Sequence, residues 1–379
     1  MKVRVAYFSN QFADRSGHGL ARFARELYAA LRERDDGVEI QPVAAWSSLS
    51  PEGLARLQQE TGLALLPTRR RLTPLLWAYL NAPKLETLMG QDVDVVHAAA
   101  LGYPIATSKP YVVTVHDLGP LTHPEFFTNT RPWIMQRSLD QAVKQAVAIV
   151  CVSHSTADEL LDYVGSHVED RVQVVPEGVS SFFSDEVDKT CLNELEDLPA
   201  AGTPFVLAAG KISPRKNIQG LLKAMANLGG DIPHHLVIVG GEGWENETVL
   251  RDLDDPNLSS RTHLLGYVSD EQLRALYASA SVYVHPSLYE GFGLTVLEAM
   301  AVGCPVITSD VYSLPEVAGD AAVLLNPTDT EALTAAIANV CKDENLRTAM
   351  IAGGKQRIQQ FRWAECADAM LNLYKQVAG

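Results

Sequence analysis

Short apolar runs alternate with amphipathic stretches along the chain. In the first half, most of these runs lack the strict alternation of a strand that has one wet face. Helical patterns such as ARFARELYAALRER (21–34) and RSLDQAVKQA (137–146) lie between them. The runs predict strands at VRVAYF (3–8), VDVVHA (93–98), YVVTVH (111–116), AIVCVS (148–153) and VQVVPE (172–177). This order of elements predicts an α/β fold with a parallel, doubly wound sheet.

The same rhythm restarts after an acidic interruption, SDEVDKTCLNELEDLPAAGTP (184–204), whose ending is typical of a linker or a domain edge. A chain of 379 residues is long enough for two ordinary domain cores. We therefore expect a second domain of the same architecture. Its predicted strands are FVLAAG (205–210), HLVIVG (235–240), THLLGY (262–267), VYVHPS (282–287), CPVITS (304–309) and AAVLLN (321–326).

The composition argues against several classes of partner and location. With 31 basic and 46 acidic residues, the net charge of −15 would repel a nucleic-acid backbone. The five cysteines lie far apart and form no C-x-x-C pair, so we expect buried thiols in a reducing compartment. The N-terminus becomes polar too early for a secretory signal, and no run of about eighteen apolar residues occurs. We expect a cytoplasmic protein.

The loop after the first predicted strand is the first of three places with candidate chemistry, because doubly wound sheets bind ligands at the carboxyl ends of strands. Gly17 and Gly19 flank His18 before a helix, so bare backbone can approach an anion there. A tight strand-to-helix connection needs glycine as well. The spacing is not a G-x-G-x-x-G fingerprint, because Arg22 stands three positions after Gly19.

The second place is a basic turn. Gly210 ends a predicted strand, and Lys211, Arg215 and Lys216 follow within six positions. Asn217 can cap the helix that comes next. In an acidic chain, three cations at one strand end favour a di-anionic group such as a pyrophosphate. A solvated basic turn that offsets acidic neighbours is the alternative interpretation.

The third place is the turn SLYEGFG between a strand and the helix LTVLEAMAVG, which is predicted to stop at Gly303. Glu290 precedes the glycines, and Glu298 lies in the first or second helical turn. If Gly293 to Thr295 begin the helix, their N–H groups point toward the space that Glu290 faces. A polar ligand there gives both acids a partner, and a buried unpaired carboxylate is costly. The alternative is one loop acid and one acid favoured by the helix dipole.

The stretch EGFGLTVLEAMAVGCPVITSD followed by LPEVAGDAAVLLNPTD (314–329) closely resembles retaining glycosyltransferases of family four, which carry two glutamates with seven residues between them. GKISPRKN resembles the diphosphate-binding segment of the same family. VVTVHDLGPLTHPE (112–125), VCVSHSTADEL (150–160) and VVPEGV (174–179) follow the family's order. The resemblance covers nearly the whole chain.

The resemblance implies a GT-B fold, with two Rossmann-like doubly wound domains facing a central cleft. The acceptor-side domain would be 1–183 and the nucleotide-sugar domain 184–360, with a C-terminal helix at about 361–379 packed back on the first. Glu290 would bind hydroxyls of the donor sugar, and Glu298 the ribose. The implied catalytic residues are His116, Asp117, Glu290, Lys216 and Arg215. The implied donor-binding residues are Gly19, Gly210, Lys211, Arg215, Lys216, Tyr267, Val268, Glu290, Gly291, Phe292, Gly293, Leu294, Thr295 and Glu298.

The implied reaction needs no metal or other cofactor, because the cations of the basic turn can neutralise the leaving diphosphate. HDLGPLTHPE is similar to mannosyltransferases of the family, which slightly favours GDP-mannose over UDP- or ADP-hexoses. The acceptor hydroxyl stays open among sugars, lipid-linked sugars and small molecules. Two departures from the family pattern, His18 and Glu177, carry no assigned role.

Other interpretations stay open at this point. A nucleotide-sugar epimerase on the same fold and a non-catalytic sugar-nucleotide-binding protein would bind the same ligand. A nicotinamide oxidoreductase is disfavoured, because the dinucleotide fingerprint is missing. TRRRLTPLLWAYL (68–80) is both basic and aromatic, which fits contact with the inner face of an anionic membrane or a lipid-linked sugar. It also fits an ordinary amphipathic helix packed on its own domain.

Overall fold

The computed structural model describes residues 2–14, 19–34, 37–68, 72–127, 132–241 and 256–379. The chain divides into two compact units. One is Met1–Gly178 together with Trp363–Gly379, and the other is Val179–Arg362. The loop glycine at 17, the histidine at 18 and the three arginines at 69–71 lie outside the described residues.

The first unit is built on a seven-stranded sheet in the order β3-β2-β1-β4-β5-β6-β7. Every described strand pair in it is parallel, as the alternation of strands and helices predicts. Its strands are β1 (Val3–Phe8), β2 (Val38–Ala44), β3 (Ala64–Leu65), β4 (Val95–Ala98), β5 (Tyr111–Val115), β6 (Ala146–Cys151) and β7 (Val172–Val174). Its helices are α1 (Gly19–Arg32), α2 (Pro51–Thr61), α3 (Thr73–Leu80), α4 (Leu85–Met89), α5 (Gly119–Thr122), α6 (Pro132–Gln145) and α7 (His154–Val164).

The second unit is built on a six-stranded parallel sheet in the order β10-β9-β8-β11-β12-β13. Its strands are β8 (Phe205–Ala209), β9 (His235–Val239), β10 (Thr262–Gly266), β11 (Val282–His285), β12 (Val306–Ser309) and β13 (Val323–Leu325). Its helices are α8 (Ile218–Leu228), α9 (Pro256–Ser259), α10 (Asp270–Ser279), α11 (Leu294–Val302), α12 (Leu314–Ala318), α13 (Thr330–Lys342) and α14 (Glu344–Arg357). Both parallel sheets are therefore confirmed.

The central strands of each sheet are buried on both faces. Every residue of β4, β5, β11 and β12 is buried, which explains why their sequences do not alternate. Each unit has its own apolar core. None of the described helices is long and apolar enough to cross a membrane.

The last helix, α15 (Trp363–Ala378), belongs to the first unit and packs on α1 and β1. Its Tyr374 is fully buried, and the Tyr374 hydroxyl lies 2.7 Å from Nδ1 of His97, a buried core histidine. The ring of Trp363 packs against Phe23 of α1, with centroids 5.7 Å apart. The chain therefore completes the first core with its final residues.

The acidic stretch 184–204 and the residues just before it are part of the second unit and do not form an unpacked linker. Phe183 is buried, and the Arg274 guanidinium carbon stands 4.1 Å from the ring centroid of Phe182. The ammonium of Lys189 donates to the carbonyl of Ala278 at 2.9 Å. A short isolated bridge joins Val179 to Arg362, where the chain enters and leaves this unit.

Candidate active site

The turn before α11 needs glycine for two separate reasons. Gly293 caps the helix with a φ of 111°, and a Cβ at this position would lie 2.9 Å from Cδ2 of Leu314. The helix ends at Gly303, which has a φ of 91°. Both predicted ends of this helix are confirmed. The first turn of this helix lies at the carboxyl edge of the sheet, where an anion is favoured.

Glycines also bring the ends of β8 and β9 into close contact. Gly240 has a φ of 143°, and a Cβ there would stand 2.1 Å from the carbonyl oxygen of Gly210. Gly210 donates its N–H to the carbonyl of Val239 at 2.8 Å. A Cβ on Gly210 would come within 3.1 Å of Cε of Lys216. Glycine at 210 thus leaves the space that the aliphatic part of Lys216 occupies.

The carboxylate of Glu290 binds three donors, two from the basic turn and one from the end of β11. Its Oε1 lies 2.7 Å from Nζ of Lys216 and 3.1 Å from Nε2 of His285. Its Oε2 lies 2.5 Å from Nη1 of Arg215. The Glu290 side chain is only 11% exposed. Residues that the sequence assigned to different parts of a ligand therefore contact one another directly.

Burial and charge compete in this cluster. Burial alone would raise the pKa of Glu290, but the charges of Arg215 and Lys216 outweigh it and hold that pKa well below its usual range. Burial lowers the pKa of Lys216, and Glu290 opposes this effect. Burial, assisted by the charge of Lys216, lowers the pKa of His285 to about 4. At neutral pH the carboxylate is therefore ionised and the imidazole is neutral.

Backbone contacts fix the loops that carry these side chains. Leu288 donates its N–H to the carbonyl of Arg215 at 2.8 Å, and Nη1 of Arg215 donates to the carbonyl of Tyr289 at 2.9 Å. The buried hydroxyl of Ser313 lies 2.9 Å from the carbonyl oxygen of Glu290 and 2.7 Å from that of Phe292. The basic turn and the glutamate loop thus hold each other in place.

His285 is a site residue that the sequence reasoning missed. It ends β11, and its Nδ1 lies 2.8 Å from the hydroxyl of Tyr283. That hydroxyl lies 3.0 Å from Oγ1 of Thr295 in the first turn of α11. The signal was present in the sequence as a histidine at a strand end five positions before a glutamate.

The remaining donor-binding candidates take several positions around this edge. Glu298 is fully buried in α11, one turn beyond Thr295. Tyr267 follows the end of β10 and is 74% exposed. Phe292 is buried, and its ring centroid lies 5.9 Å from that of Phe361. The structure places Gly291, Leu294, Val268 and Lys211 on the loops or helix start that follow these strands.

In the first unit, His116 forms a buried pair with Glu177. Its Nδ1 lies 3.0 Å from Oε1 of Glu177, and its Nε2 lies 2.9 Å from the carbonyl oxygen of Ala99. Both ring nitrogens lie within hydrogen-bond distance of acceptors, which favours the cationic imidazole. Burial lowers the pKa of His116, but Glu177 outweighs it and the pKa is raised. Glu177, a departure from the family pattern, thus gains a structural role.

Two other candidates in the first unit have simpler surroundings. Oδ1 of Asp117 accepts the N–H of Gly119 at 3.0 Å, which closes the turn into α5. Gly19 begins α1, and a Cβ added to it would meet nothing within 4 Å. Neither residue carries a geometric requirement as strict as that of Gly293.

Comparison with known proteins decides the family. The family model described as Glycosyl transferases group 1 matches residues 194–357, and the model described as Glycosyltransferase Family 4 matches residues 17–181. O-antigen chain mannosyltransferase B of Escherichia coli is 35% identical over 315 residues, which cover 82% of this chain and 82% of that protein. The chain belongs to glycosyltransferase family 4.

The fold of this glycosyltransferase is the GT-B fold of its solved neighbours. Sucrose-phosphate synthase from Thermosynechococcus elongatus superposes with a TM-score of 0.76 at 23% identity, and 99% of each chain is covered. HepE of Anabaena in complex with UDP and glucose gives 0.75 at 18% identity and covers 99% of this chain and 100% of that one. The expected fold is thereby confirmed. The Glu290 cluster falls within the group 1 match, and the His116–Glu177 pair within the family 4 match.

Proposed function

We propose that this glycosyltransferase moves a hexose from a nucleoside-diphosphate sugar to an acceptor hydroxyl with retention of configuration and without a metal. The observation that carries the proposal is the buried cluster in which Arg215 and Lys216 share one carboxylate, Glu290. Arg215 and Lys216 place two positive charges side by side there, and the carboxylates of Glu290 and Glu298 offset part of that charge. A diphosphate is the complementary ligand for such a site.

The charges suggest how the reaction proceeds. Breaking the bond between the anomeric carbon and the phosphate oxygen produces an oxocarbenium-like sugar and a nucleoside diphosphate anion. Lys216, Arg215 and the N–H groups at the start of α11 would stabilise that anion more in the transition state than in the bound donor. The departing phosphate oxygen would then take the proton of the attacking acceptor hydroxyl. No protein nucleophile is required in this scheme.

Individual roles follow from the family resemblance and stay predictions. Glu290 would accept hydrogen bonds from hydroxyls of the transferred sugar, and Glu298 from the ribose. Tyr267, exposed at the end of β10, would line the base. His116 would lie at the transferred sugar, where its cationic form cannot act as a base. Cytoplasmic transfer likewise stays a prediction.

Mannose is the sugar that we favour. The relative that is 35% identical is named a mannosyltransferase, and a relative of this identity and coverage is a better guide to the sugar than a fold neighbour below 25% identity. GDP-mannose is therefore the first donor to test. UDP- and ADP-hexoses are the comparison donors.

The direct test measures nucleoside diphosphate release from a panel of nucleotide sugars, with EDTA present, with and without acceptors. Release that one acceptor stimulates, with an α-linked product from an α-linked donor, supports the proposal. Interconversion of the sugar without release would instead show an epimerase. Tight binding of a donor without any turnover would show a binding protein. Turnover that EDTA abolishes would refute metal independence.

A second test separates the diphosphate and sugar subsites. Lys216→Ala should weaken binding of both the donor and the free nucleoside diphosphate in calorimetric titrations. Lys223→Ala is the matched control, because this lysine is exposed on α8 in the same unit. Glu290→Gln should reduce turnover while binding of the free diphosphate is retained, since the diphosphate lacks the sugar. Equal losses of turnover and diphosphate binding in Glu290→Gln would contradict its assigned role.

We also propose that α3 contacts an anionic lipid surface. Its Trp77 is fully buried, while Tyr79 and Leu80 on other sides of the helix are 59% and 69% exposed. The helix follows three consecutive arginines in sequence, and this local basic stretch favours an anionic surface although the net charge of the whole chain is −15. The exposed apolar residues of this surface are Leu72 directly before α3, Leu75, Tyr79 and Leu80 on α3, and Trp133 on α6.

Sedimentation with vesicles tests this contact. The protein should bind vesicles that contain phosphatidylglycerol and should bind pure phosphatidylcholine vesicles much less. The double variant Tyr79→Ser with Leu80→Ser should lose binding, whereas Tyr163→Ser, which changes an exposed tyrosine on α7, should not. Equal binding of the double variant and the wild type would refute this contact.

A further inference from the structure

Four side chains connect the start of α11 to Glu290 by successive hydrogen bonds. Oγ1 of Thr295 lies 3.0 Å from the hydroxyl of Tyr283, and that hydroxyl lies 2.8 Å from Nδ1 of His285. Nε2 of His285 lies 3.1 Å from Oε1 of Glu290. We call these four residues the Thr295–Glu290 row. Tyr283 and His285 alternate along β11, so a single rigid strand carries the centre of the row.

The carboxylate fixes the direction of the hydrogen bonds in the row. An ionised Glu290 only accepts, so Nε2 of His285 carries the hydrogen, and the hydroxyl oxygen of Ser287, also 3.1 Å from Nε2, can accept it as well. A second proton on Nδ1 would add a third cation beside Arg215 and Lys216 within a buried cluster, which burial disfavours. Nδ1 is therefore a bare lone pair, and its donor is the Tyr283 hydroxyl. The oxygen of Tyr283 can then accept the hydrogen of Thr295.

Lys216 and His285 bind the same carboxylate oxygen of Glu290. Binding of a nucleotide sugar would affect these two contacts differently. The ammonium of Lys216 sits on a flexible stem, and in the proposed function it must also serve the incoming diphosphate. The imidazole of His285 is neutral, fully buried and held on its far side by Tyr283. The hydrogen bond from His285 to Glu290 therefore does not depend on the Lys216 ammonium, which the diphosphate would attract.

We propose that His285, held by Tyr283 as the Nε2-protonated neutral tautomer, is a positioning residue that keeps Glu290 in place when the donor diphosphate draws on Lys216. The proposal rests on the proposed function for its kinetic consequence. The tautomer and its dependence on Tyr283 follow from the geometry alone. The two parts can therefore be tested separately.

The first unit supplies a matched control for this arrangement. There His97 lies between the hydroxyls of Tyr374 and Thr114, at 2.7 and 2.8 Å, and all three side chains are fully buried. No carboxylate takes part in either of these two bonds. Tyr374→Phe therefore removes the same kind of hydroxyl from the same kind of buried histidine without touching Glu290.

The first arm measures the tautomer without turnover, by NMR of protein labelled with ¹⁵N-histidine. The spectrum of His285→Gln identifies the His285 signals by their disappearance. In the wild type, Nε2 should be protonated and Nδ1 bare from pH 5.5 to 8.5, both with and without added GDP. In Tyr283→Phe, the Nδ1 signal should shift as its donor is lost, whereas Tyr374→Phe should leave it unchanged. A protonated Nδ1 in the wild type would overturn the proposal.

The second arm compares kinetics. Tyr283→Phe should lower kcat about tenfold while the donor KM stays near the wild-type value, because the row orients the carboxylate rather than binding the diphosphate. His285→Leu should lose more, about a hundredfold, and His285→Gln should recover part of that loss because its amide can still donate to Glu290. Tyr374→Phe should retain the wild-type kcat. Retained GDP affinity shows that each variant is folded at the site.

The outcomes of the two arms are distinguishable. A wild type with the expected tautomer and no turnover on any nucleotide sugar would refute the proposed function and leave the assignment of the tautomer standing. Wild-type turnover with an unchanged kcat in His285→Leu would refute the positioning role and leave the proposed function standing. A KM increase without a kcat loss in Tyr283→Phe would also refute positioning.

Discussion

Two carboxylates in this protein bridge an arginine and a lysine in the same way but differ in burial. Glu290 binds Arg215 and Lys216 and is 11% exposed. Asp92 binds Nη2 of Arg4 at 3.0 Å and Nζ of Lys109 at 2.7 Å, and it is 65% exposed. The variants Glu290→Gln and Asp92→Asn remove one charge each and keep the shape of the side chain. Their comparison tests whether burial decides the strength of such a cluster.

The expected magnitudes differ widely. Removing one partner from a buried ion pair leaves an uncompensated buried charge, and such changes cost about 3–5 kcal/mol. The side chains of the cluster retain some exposure, so we expect about 3 kcal/mol for Glu290→Gln. A domain of 150–250 residues loses about 2–4 °C in Tm per kcal/mol, which gives a fall of about 6–12 °C. Asp92→Asn should leave Tm nearly unchanged, because water screens that cluster.

Calorimetric melting of the two variants and the wild type at several pH values is the assay. The pKa of Glu290 is lowered in the folded protein, so its stabilisation is complete above the usual carboxyl value of 4.5. It should be lost as the pH falls through the lowered folded pKa. The Tm difference between the wild type and Glu290→Gln should therefore be constant at neutral pH and shrink in acid.

Two results would refute this reasoning. Equal Tm losses for Glu290→Gln and Asp92→Asn would mean that burial does not set the energy of the bridge. A Glu290→Gln protein as stable as the wild type at pH 7 would mean that Arg215 and Lys216 lose nothing when their shared carboxylate becomes neutral. In the second case, adding Lys216→Met to Glu290→Gln should not raise the Tm above that of Glu290→Gln alone.

Further predictions concern the glycine contact and the His116 pair. Gly240→Ala should destabilise the protein by about 3 kcal/mol or more, because its Cβ would overlap the carbonyl of Gly210, while Gly241→Ala, with open space at its Cβ, should change Tm little. A melting comparison that shows similar losses for both would count against the close contact. The raised pKa of His116 means that its stabilisation is complete below pH 6.5 and is lost as the pH rises through the folded pKa. In Glu177→Gln, the Tm should fall less between pH 6 and pH 9 than it does in the wild type. The same dependence of Tm on pH in both proteins would contradict the pairing.

Sequence patterns predicted the fold best where the apolar runs are uninterrupted. VRVAYF gave the bounds of β1, and the start and stop of α11 followed from its glycines. The sequence predicts neither β2 nor β3. The β2 sequence VEIQPVA carries polar residues and Pro42, and β3 contains only two residues, which pair with Val43 and Ala44. At Pro42 the strand has a partner only on the β1 side, so its missing N–H is tolerated there.

The site was predictable in its members but not in its contacts. Lys216 and Glu290 stand 74 positions apart and meet because β8 and β11 are neighbours in the sheet. A linear pattern predicts that both follow strand ends, but it does not supply the strand order. The direct ion pair is therefore a finding of the structure.

The protonation states of two histidines were also not predictable from the sequence. His285 ends β11 and His116 directly follows β5, and a lone histidine at a strand end is more often structural than functional. Their partners, Tyr283 and Glu177, are what separate the neutral imidazole from the cationic one. Protonation depends on these neighbours in space, so the sequence alone does not determine it.

The placement of α15 in the first unit has a consequence for synthesis. Tyr374 and Trp363 fill the core beside α1, yet the ribosome makes them after the whole second unit. Residues 179–379 need about 10–40 s of translation at about 5–20 residues per second. During this time, the apolar side of α1 that α15 will cover is exposed to solvent and to chaperones. The domain that emerges first is completed last, so a truncated chain that lacks α15 should aggregate even though its first 178 residues are intact.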